Sequence, residues 1–410
     1  MSYILTEEVK SWIQQSMGSE NCIITIENTT QKGEGYVGEF IFAKVELPSS
    51  EGMVTHDGTV YIALKRNSQN PAIPKQFPVM HEICRREVYF YGVIFPAYQK
   101  FYKNKTLRDD FYIVPKCHKA FLEDKNNVII LENLKRKGYV LHQRDKPLNS
   151  VQIKLCLKSY VKLHVLAFAM RDQTPKEFKI ISEDLFSLMK EAFDHFKLVI
   201  ESKSIVIIDA LKEAGREDLS IRFEKFNKEK AIFNRLIEVA DATTDEKVII
   251  HGDCHNGNML FLFKNNDRSN PQHVALIDFQ GTCLHSPILD ISAFLYWNLS
   301  SEDFLQFEEF LEFYYSQLSS LLTELGSDIN KLFPKHVMQK HLKKFLQFGF
   351  CIVVPFLEFL YIENEDAPSL IDENTNEILG GLKDVKLKSR EEYLRRLVST
   401  VDSFFNSGYV

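Results

Sequence analysis

Over its first 130 residues the chain alternates apolar and polar positions with the period of strands; beyond them helical spacing takes over. Cys22–Glu27 is a β-branched run, and 39–47 and 59–65 read as further strands. Asn127–Leu131 is a buried strand that stops at a short polar connector, the natural place for a hinge. Between these strands, Met80, Ile83, Cys84, Glu87 and Tyr91 share one face of a predicted helix over 78–91. Later, 151–170, 180–203, 304–325 and 338–362 read as helices, and the charge-rich 216–230 as a solvated helix face or a loop. One hairpin breaks this helical region. Val248–Ile250 leads into a loop, 258–263 is a strand, 264–271 a polar turn, and Val274–Ile277 a returning strand. The pattern predicts an α+β chain with a strand-rich lobe (1–131), a hinge (132–138) and a larger helical lobe (139–410).

The loop that opens this hairpin carries the densest chemistry. It runs His251-Gly252-Asp253-Cys254-His255-Asn256-Gly257-Asn258, and the returning strand delivers Asp278-Phe279-Gln280. ATP-dependent phosphoryl transfer needs such a set: one carboxylate at the acceptor hydroxyl, and an amide oxygen plus a second carboxylate to hold Mg²⁺. Two plainer readings compete. His251, Asp253 and His255 alternate as zinc ligands could, though zinc leaves Asn258 and Asp278 unexplained. Asn256-Gly257 could serve only as a turn, which does not account for a carboxylate at the end of a buried strand.

Upstream, Gly33, Gly35 and Gly38 form a G-x-G-x-x-G turn between two strands, a place for a phosphate-covering loop. Ala63 and Lys65 fall on one face of the next strand, the spacing for a small residue beneath adenine and a lysine on the α/β-phosphates. The bland alternative is a surface lysine at a strand end. Glu87 lies within an apolar helical stripe, and a carboxylate aimed at a core needs a cation; Lys65 is the expected partner.

Composition narrows the class. The 410 residues suffice for two lobes, with 45% hydrophobic and 26% charged residues and a net charge of −6. That charge argues against nucleic acid or a polybasic membrane surface as partner. The amino terminus shows no secretory pattern, and seven scattered cysteines fit a reducing, cytoplasmic setting. The apolar stretch 348–362 is short and carries Pro355 and Glu358, as a buried helix does. The 32 phenylalanines fit an aromatic core better than a lipophilic pocket.

Taken together, Gly33-Glu34-Gly35-Tyr36, Arg86-Glu87-Val88-Tyr89-Phe90-Tyr91, Val114-Pro115-Lys116-Cys117, Leu131-Glu132-Asn133-Leu134, His251-Gly252-Asp253 with Asn258, and Ile277-Asp278-Phe279-Gln280 resemble the ecdysteroid kinase-like family. That family stands beside choline kinases and aminoglycoside phosphotransferases in the protein-kinase-like superfamily. Gly35 and Ile83 depart from its usual Asn and Phe. The resemblance implies a two-lobed protein-kinase-like fold using ATP and Mg²⁺. It implies Asp253 as catalytic base and Asn258 and Asp278 as metal ligands. Gly33, Gly35, Gly38, Ala63, Lys65, Glu87, Leu131, Glu132 and Leu134 would then surround the nucleotide. Asp290 matches a further motif position and reads as the cap of a helix over 291–298. The implied acceptor is a hydroxyl of a small lipophilic molecule, an ecdysteroid or a xenobiotic alcohol. Choline- or aminoglycoside-type kinases and a nucleotide-binding pseudokinase are the rivals.

Overall fold

The computed structural model describes residues 5–29, 38–48, 54–67, 72–103, 105, 107, 111–122, 127–362 and 386–409. Gly33 and Gly35 lie outside them. Five antiparallel strands, β1 (Ile23–Thr29), β2 (Gly38–Pro48), β3 (Val54–Asn67), β4 (Cys117–Phe121) and β5 (Val128–Glu132), form one sheet in the order β1-β2-β3-β5-β4. Its two faces have different tasks. Ile41, Ala43, Val45, Ile62, Leu64 and Ile130 pack under α1 (Glu7–Met17) through Val9, Trp12 and Ile13. Strand alternation turns Phe40, Phe42, Ala63, Lys65, Ile129 and Leu131 the other way. Helix α1, capped by the Thr6 hydroxyl, went unrecognised in the sequence because only three of its residues are buried.

Between β3 and β4 stand α2 (Ala72–Gln76), α3 (Met80–Tyr89) and α4 (Phe95–Tyr102). A π turn at Phe90–Ile94 joins the last two. After β5 a 3₁₀ turn, Leu134–Lys137, ends at Gly138 and leads into β6 (Tyr139–Leu141) and the long α5 (Ser150–Gln173). There follow α6 (Pro175–Ser182), α7 (Met189–Asp194), α8 (Lys197–Glu213), α9 (Glu217–Glu229) and α10 (Ile232–Asp241). The single helix expected over 180–203 is therefore broken, for a visible reason. At the break the carbonyl of Leu185 accepts the N–H of Leu284 at 2.9 Å, an interaction that an unbroken helix would use internally. The charge-rich 216–230 is mostly helical, as α9, with Leu219, Phe223 and Phe226 buried beneath its charged side.

The hairpin region supplies β7 (Val248–Ile250), β8 (Met259–Phe263), β9 (Pro271–Leu276) and β10 (Cys283–His285); β7 pairs with β10, and β8 lies between β6 and β9. Last come α11 (Pro287–Asn298), α12 (Phe307–Leu325), α13 (Ile329–Leu332), α14 (Lys335–Phe345), α15 (Gln347–Phe356) and α16 (Arg390–Asn406). Residues 335–361 have the length and apolarity to cross a membrane, yet 72% of their most apolar 18-residue window is buried in the protein. They are core helices, and Pro355 ends α15 in a 3₁₀ turn. Gly349 lets α15 lie directly on α11, since a Cβ there would meet the Ser292 carbonyl carbon at 2.4 Å. Phenylalanines fill this core, with Phe350 stacked on Phe404 at 3.7 Å.

Candidate active site

Lys65 sits on the cleft face of β3 and Glu87 in the last turns of α3. Their charged atoms meet at 2.6 Å, and the same ammonium reaches Asp278 Oδ1 at 2.9 Å. Lys65 and Glu87 are both buried, while the Asp278 side chain is 30% exposed. Burial would strip the lysine of its proton, but Asp278 and Glu87 more than reverse this and raise its pKa. Burial pushes the Glu87 carboxyl up to about 7 against the pull of Lys65. Gln280 completes the cluster. With its amide oxygen facing the ammonium it accepts from Lys65 at 3.1 Å and donates to Asp278 at 3.3 Å. Gly38 explains itself here: a Cβ would come within 3.2 Å of Lys65 Cε and 3.0 Å of the Arg66 carbonyl.

Asp278 has φ +65°, strained for a residue with a side chain. The strain is held in place by Phe279, which is fully buried, stacked on Phe90 at 3.6 Å and packed against His251 at 4.4 Å. One ring thus ties the returning strand both to the turn that follows α3 and to the loop of Asp253.

In that loop His251 donates from Nε2 to the Ile277 carbonyl at 2.9 Å and accepts the Asp253 N–H on Nδ1 at 3.2 Å. Both ring nitrogens are engaged, and burial keeps the ring below its usual pKa, hence neutral. A zinc site through His251 is thereby ruled out. Asn258 turns its amide NH₂ onto Asp253, 3.0 Å from both the main-chain oxygen and Oδ2. Its own oxygen is left facing away from that carboxylate. The Asp253 side chain remains 48% exposed to the cleft. Burial among protein atoms would raise its pKa, but His255 above all, 3.5 Å from Oδ2, brings it below the ordinary value. His255 is a site residue that sequence reading considered only as a zinc ligand. Its alternation with Asp253 was visible; its contact was not.

Asp290 departs from expectation. The helix begins at Pro287 and is capped by the Ser286 hydroxyl. Asp290, in its first turn and 1% exposed, instead accepts the backbone N–H groups of His251 at 2.7 Å and Gly252 at 2.9 Å. Nε2 of His164 approaches it at 3.0 Å. Burial would raise this carboxyl, but the His164 hydrogen bond leads the groups that hold it below its usual pKa. Gly252 has φ +85°, and a Cβ there would lie 2.2 Å from the Gly281 carbonyl oxygen. Glycine is demanded by the backbone at this position.

At the connector, Ala63 stands between Phe42 and Leu131 across three strands. The Glu132 carboxylate is occupied inside the protein, by the Lys116 N–H at 2.7 Å, the Tyr112 hydroxyl and Lys137. Any part for Glu132 in nucleotide recognition therefore falls to its backbone. Leu134 begins the 3₁₀ turn, where an N–H has no partner within the turn, and its side chain is buried with Tyr139 and Leu260.

The ecdysteroid kinase-like family model matches residues 32–327. No curated protein matches the chain. Among solved structures, an ethanolamine kinase from Plasmodium vivax is 12% identical, with 95% of this chain and 85% of that one covered and a TM-score of 0.40. A choline kinase from Cryptosporidium parvum is 11% identical, with 98% and 97% covered and a TM-score of 0.44. The GDP complex of an aminoglycoside 2′-phosphotransferase is 12% identical, with 85% and 89% covered and a TM-score of 0.36. Likeness so remote speaks for no particular acceptor. The family match spans well over half of the sequence and includes every residue of the cluster around Lys65 and Asp253. The chain belongs to the ecdysteroid kinase-like family and is a small-molecule kinase.

Proposed function

We propose that the protein transfers the γ-phosphoryl group of ATP to a hydroxyl of a small lipophilic molecule, an ecdysteroid-like steroid or a xenobiotic alcohol, in the cytoplasm. The observation that carries the phosphotransferase reading is Lys65 bridging Glu87 and Asp278, with Asp253 and Asn258 on the adjoining loop. Lys65, oriented by Glu87, binds the α/β-phosphates. By its G-x-G-x-x-G pattern the stretch 33–38, of which Gly38 alone is among the described residues, would cover the phosphates, and Ala63 with the backbone of Leu131–Leu134 takes the adenine. Asp253, ionised and open to the cleft, orients the acceptor hydroxyl and takes its proton as the O–P bond forms.

Magnesium fits the residues present. The Asn258 amide oxygen and the Asp278 Oδ2 are hard oxygen donors not used by the hydrogen bonds described above, and the Ile277 N–H to Asn258 carbonyl bond at 3.0 Å ties their strands together. When bound, the ion neutralises charge on the phosphate oxygens. Asp278→Ala should then weaken nucleotide binding chiefly when Mg²⁺ is present. Titration with and without the ion checks this, and an unchanged Mg²⁺ dependence would remove Asp278 from the metal site.

The ion pair predicts a coupling. Lys65→Met and Glu87→Gln should each lower activity at least tenfold, and the double variant should lose far less than the product of the two losses. Independent, multiplying losses in kcat/KM would mean that the pair does not act as a unit.

Family membership is the main support for a neutral lipophilic acceptor, and burial of an apolar ring system gives roughly 25 cal/mol per Å². A quaternary ammonium would instead call for an aromatic or acidic cage. The purified protein should consume ATP with a steroid or phenolic alcohol and show little turnover with choline. Turnover with choline while steroids stay inert would overturn this acceptor class and leave the phosphoryl-transfer residues standing.

A further inference from the structure

Behind the active cleft lies a second cavity, of about 1040 Å³, between the π turn and α4 on one side and β4 on the other. Pockets of this order bury drug-sized ligands. Its walls are aromatic, among them Tyr91, Phe95 and Phe111. Its described lining contains Lys103, Lys116 and Lys119 with His118, and no aspartate or glutamate. These three lysines are exposed and form no ion pair with a described residue, in a chain whose net charge is −6. The lysines attract an anion, and the rings pack against its apolar body.

The cavity wall is also wired to the cluster described above. Tyr91 stands one helical turn after Glu87, and its ring packs against Phe279 at 5.9 Å. Its hydroxyl is buried with no hydrogen-bond partner among the described residues, as is Nε2 of His118. Burial first, and then Lys116, keep His118 below its usual pKa, so the ring offers an anion a neutral N–H and the charge comes from the lysines. The π turn itself, Phe90–Ile94, is a local departure from α-helical bonding of the sort found where a helix serves a function.

We propose that this cavity binds a ring-bearing organic anion, of the aryl phosphate or sulfate type, and that its occupancy is felt at Lys65, Glu87 and Asp278 through Tyr91 and Phe279. The site is separate from the acceptor position at Asp253, and a phosphate ester of a lipophilic alcohol has the required chemistry. Feedback by that class of product is the direct consequence.

The test uses the full chain and 1-naphthyl phosphate, titrated by calorimetry with and without saturating Mg²⁺·ATP. The probe should bind in both conditions, and it should change ATP affinity at least threefold, with ATP changing probe affinity by the same factor. Lys116→Glu with Lys119→Glu should weaken the probe at least tenfold while ATP affinity measured without it stays unchanged. Gly92→Leu, whose new side chain starts 3.4 Å from Ala120 on the opposite wall, should exclude the probe. Mutually exclusive binding of probe and ATP would put the anion in the nucleotide cleft and overturn the proposal. So would indifference to the two lysines, or binding without any effect on ATP. None of these readouts needs turnover, so a failed acceptor screen leaves them intact.

Discussion

Asp253→Asn should lower the rate of phosphoryl transfer by about 10²–10⁴-fold, the range for losing a positioned general base, or roughly 3–5 kcal/mol of barrier. ATP affinity should stay within a few-fold of the parent, because Lys65, Glu87 and Asp278, the residues proposed to hold the nucleotide, make no hydrogen bond with the Asp253 carboxylate. The substitution is also gentle on structure. Asp253 Oδ2 accepts from the Asn258 amide, and an asparagine oxygen at the same point can accept the same bond. A single-turnover measurement beside a nucleotide titration separates the two effects. Near-normal turnover would reject Asp253 as the base, and a collapse of ATP binding would make it a nucleotide-site residue instead.

How far the sequence reached follows from what kind of information each part of the site carries. Lys65 with Glu87 was legible because a lone carboxylate in an apolar helical stripe demands a cation, and Lys65 stood two residues beyond Ala63 on one face of a strand, a better match than Lys44, which pairs with Glu46. The hairpin of Asn258 and Asp278 was legible from strand periodicity and a polar turn. What escaped depends on contacts between distant segments. His255 gained its meaning only when the loop curled it onto Asp253. The helix expected over 180–203 is broken because the Leu185 carbonyl is needed elsewhere, at Leu284, a demand that no local pattern records. The need for glycine at position 252 likewise comes from its φ of +85° and the close approach of Gly281, which no local pattern shows.

Asp290 shows the same limit, and it gives the second large expected effect. Sequence reading made it a helix cap, whose removal costs about 1 kcal/mol and leaves chemistry alone. Its carboxylate in fact fastens the backbone of His251 and Gly252, the two residues that precede Asp253, and meets His164. Asp290→Ala would leave these buried donors without an acceptor, and should lower unfolding free energy by about 3–5 kcal/mol. Asp290→Asn keeps one acceptor oxygen but turns an NH₂ toward a donor whose bond the carboxylate now accepts. It should fold with a loss of about 1–3 kcal/mol and a kcat at least tenfold lower. Its ATP affinity should stay near the parent's, since Lys65 and Glu87 are untouched. Urea unfolding with steady-state kinetics on both variants checks this. A loss of only about 1 kcal/mol in Asp290→Ala with kcat unchanged would return Asp290 to the role of a cap. A fall in kcat without a fall in ATP affinity would instead identify it as the residue that positions the loop of Asp253.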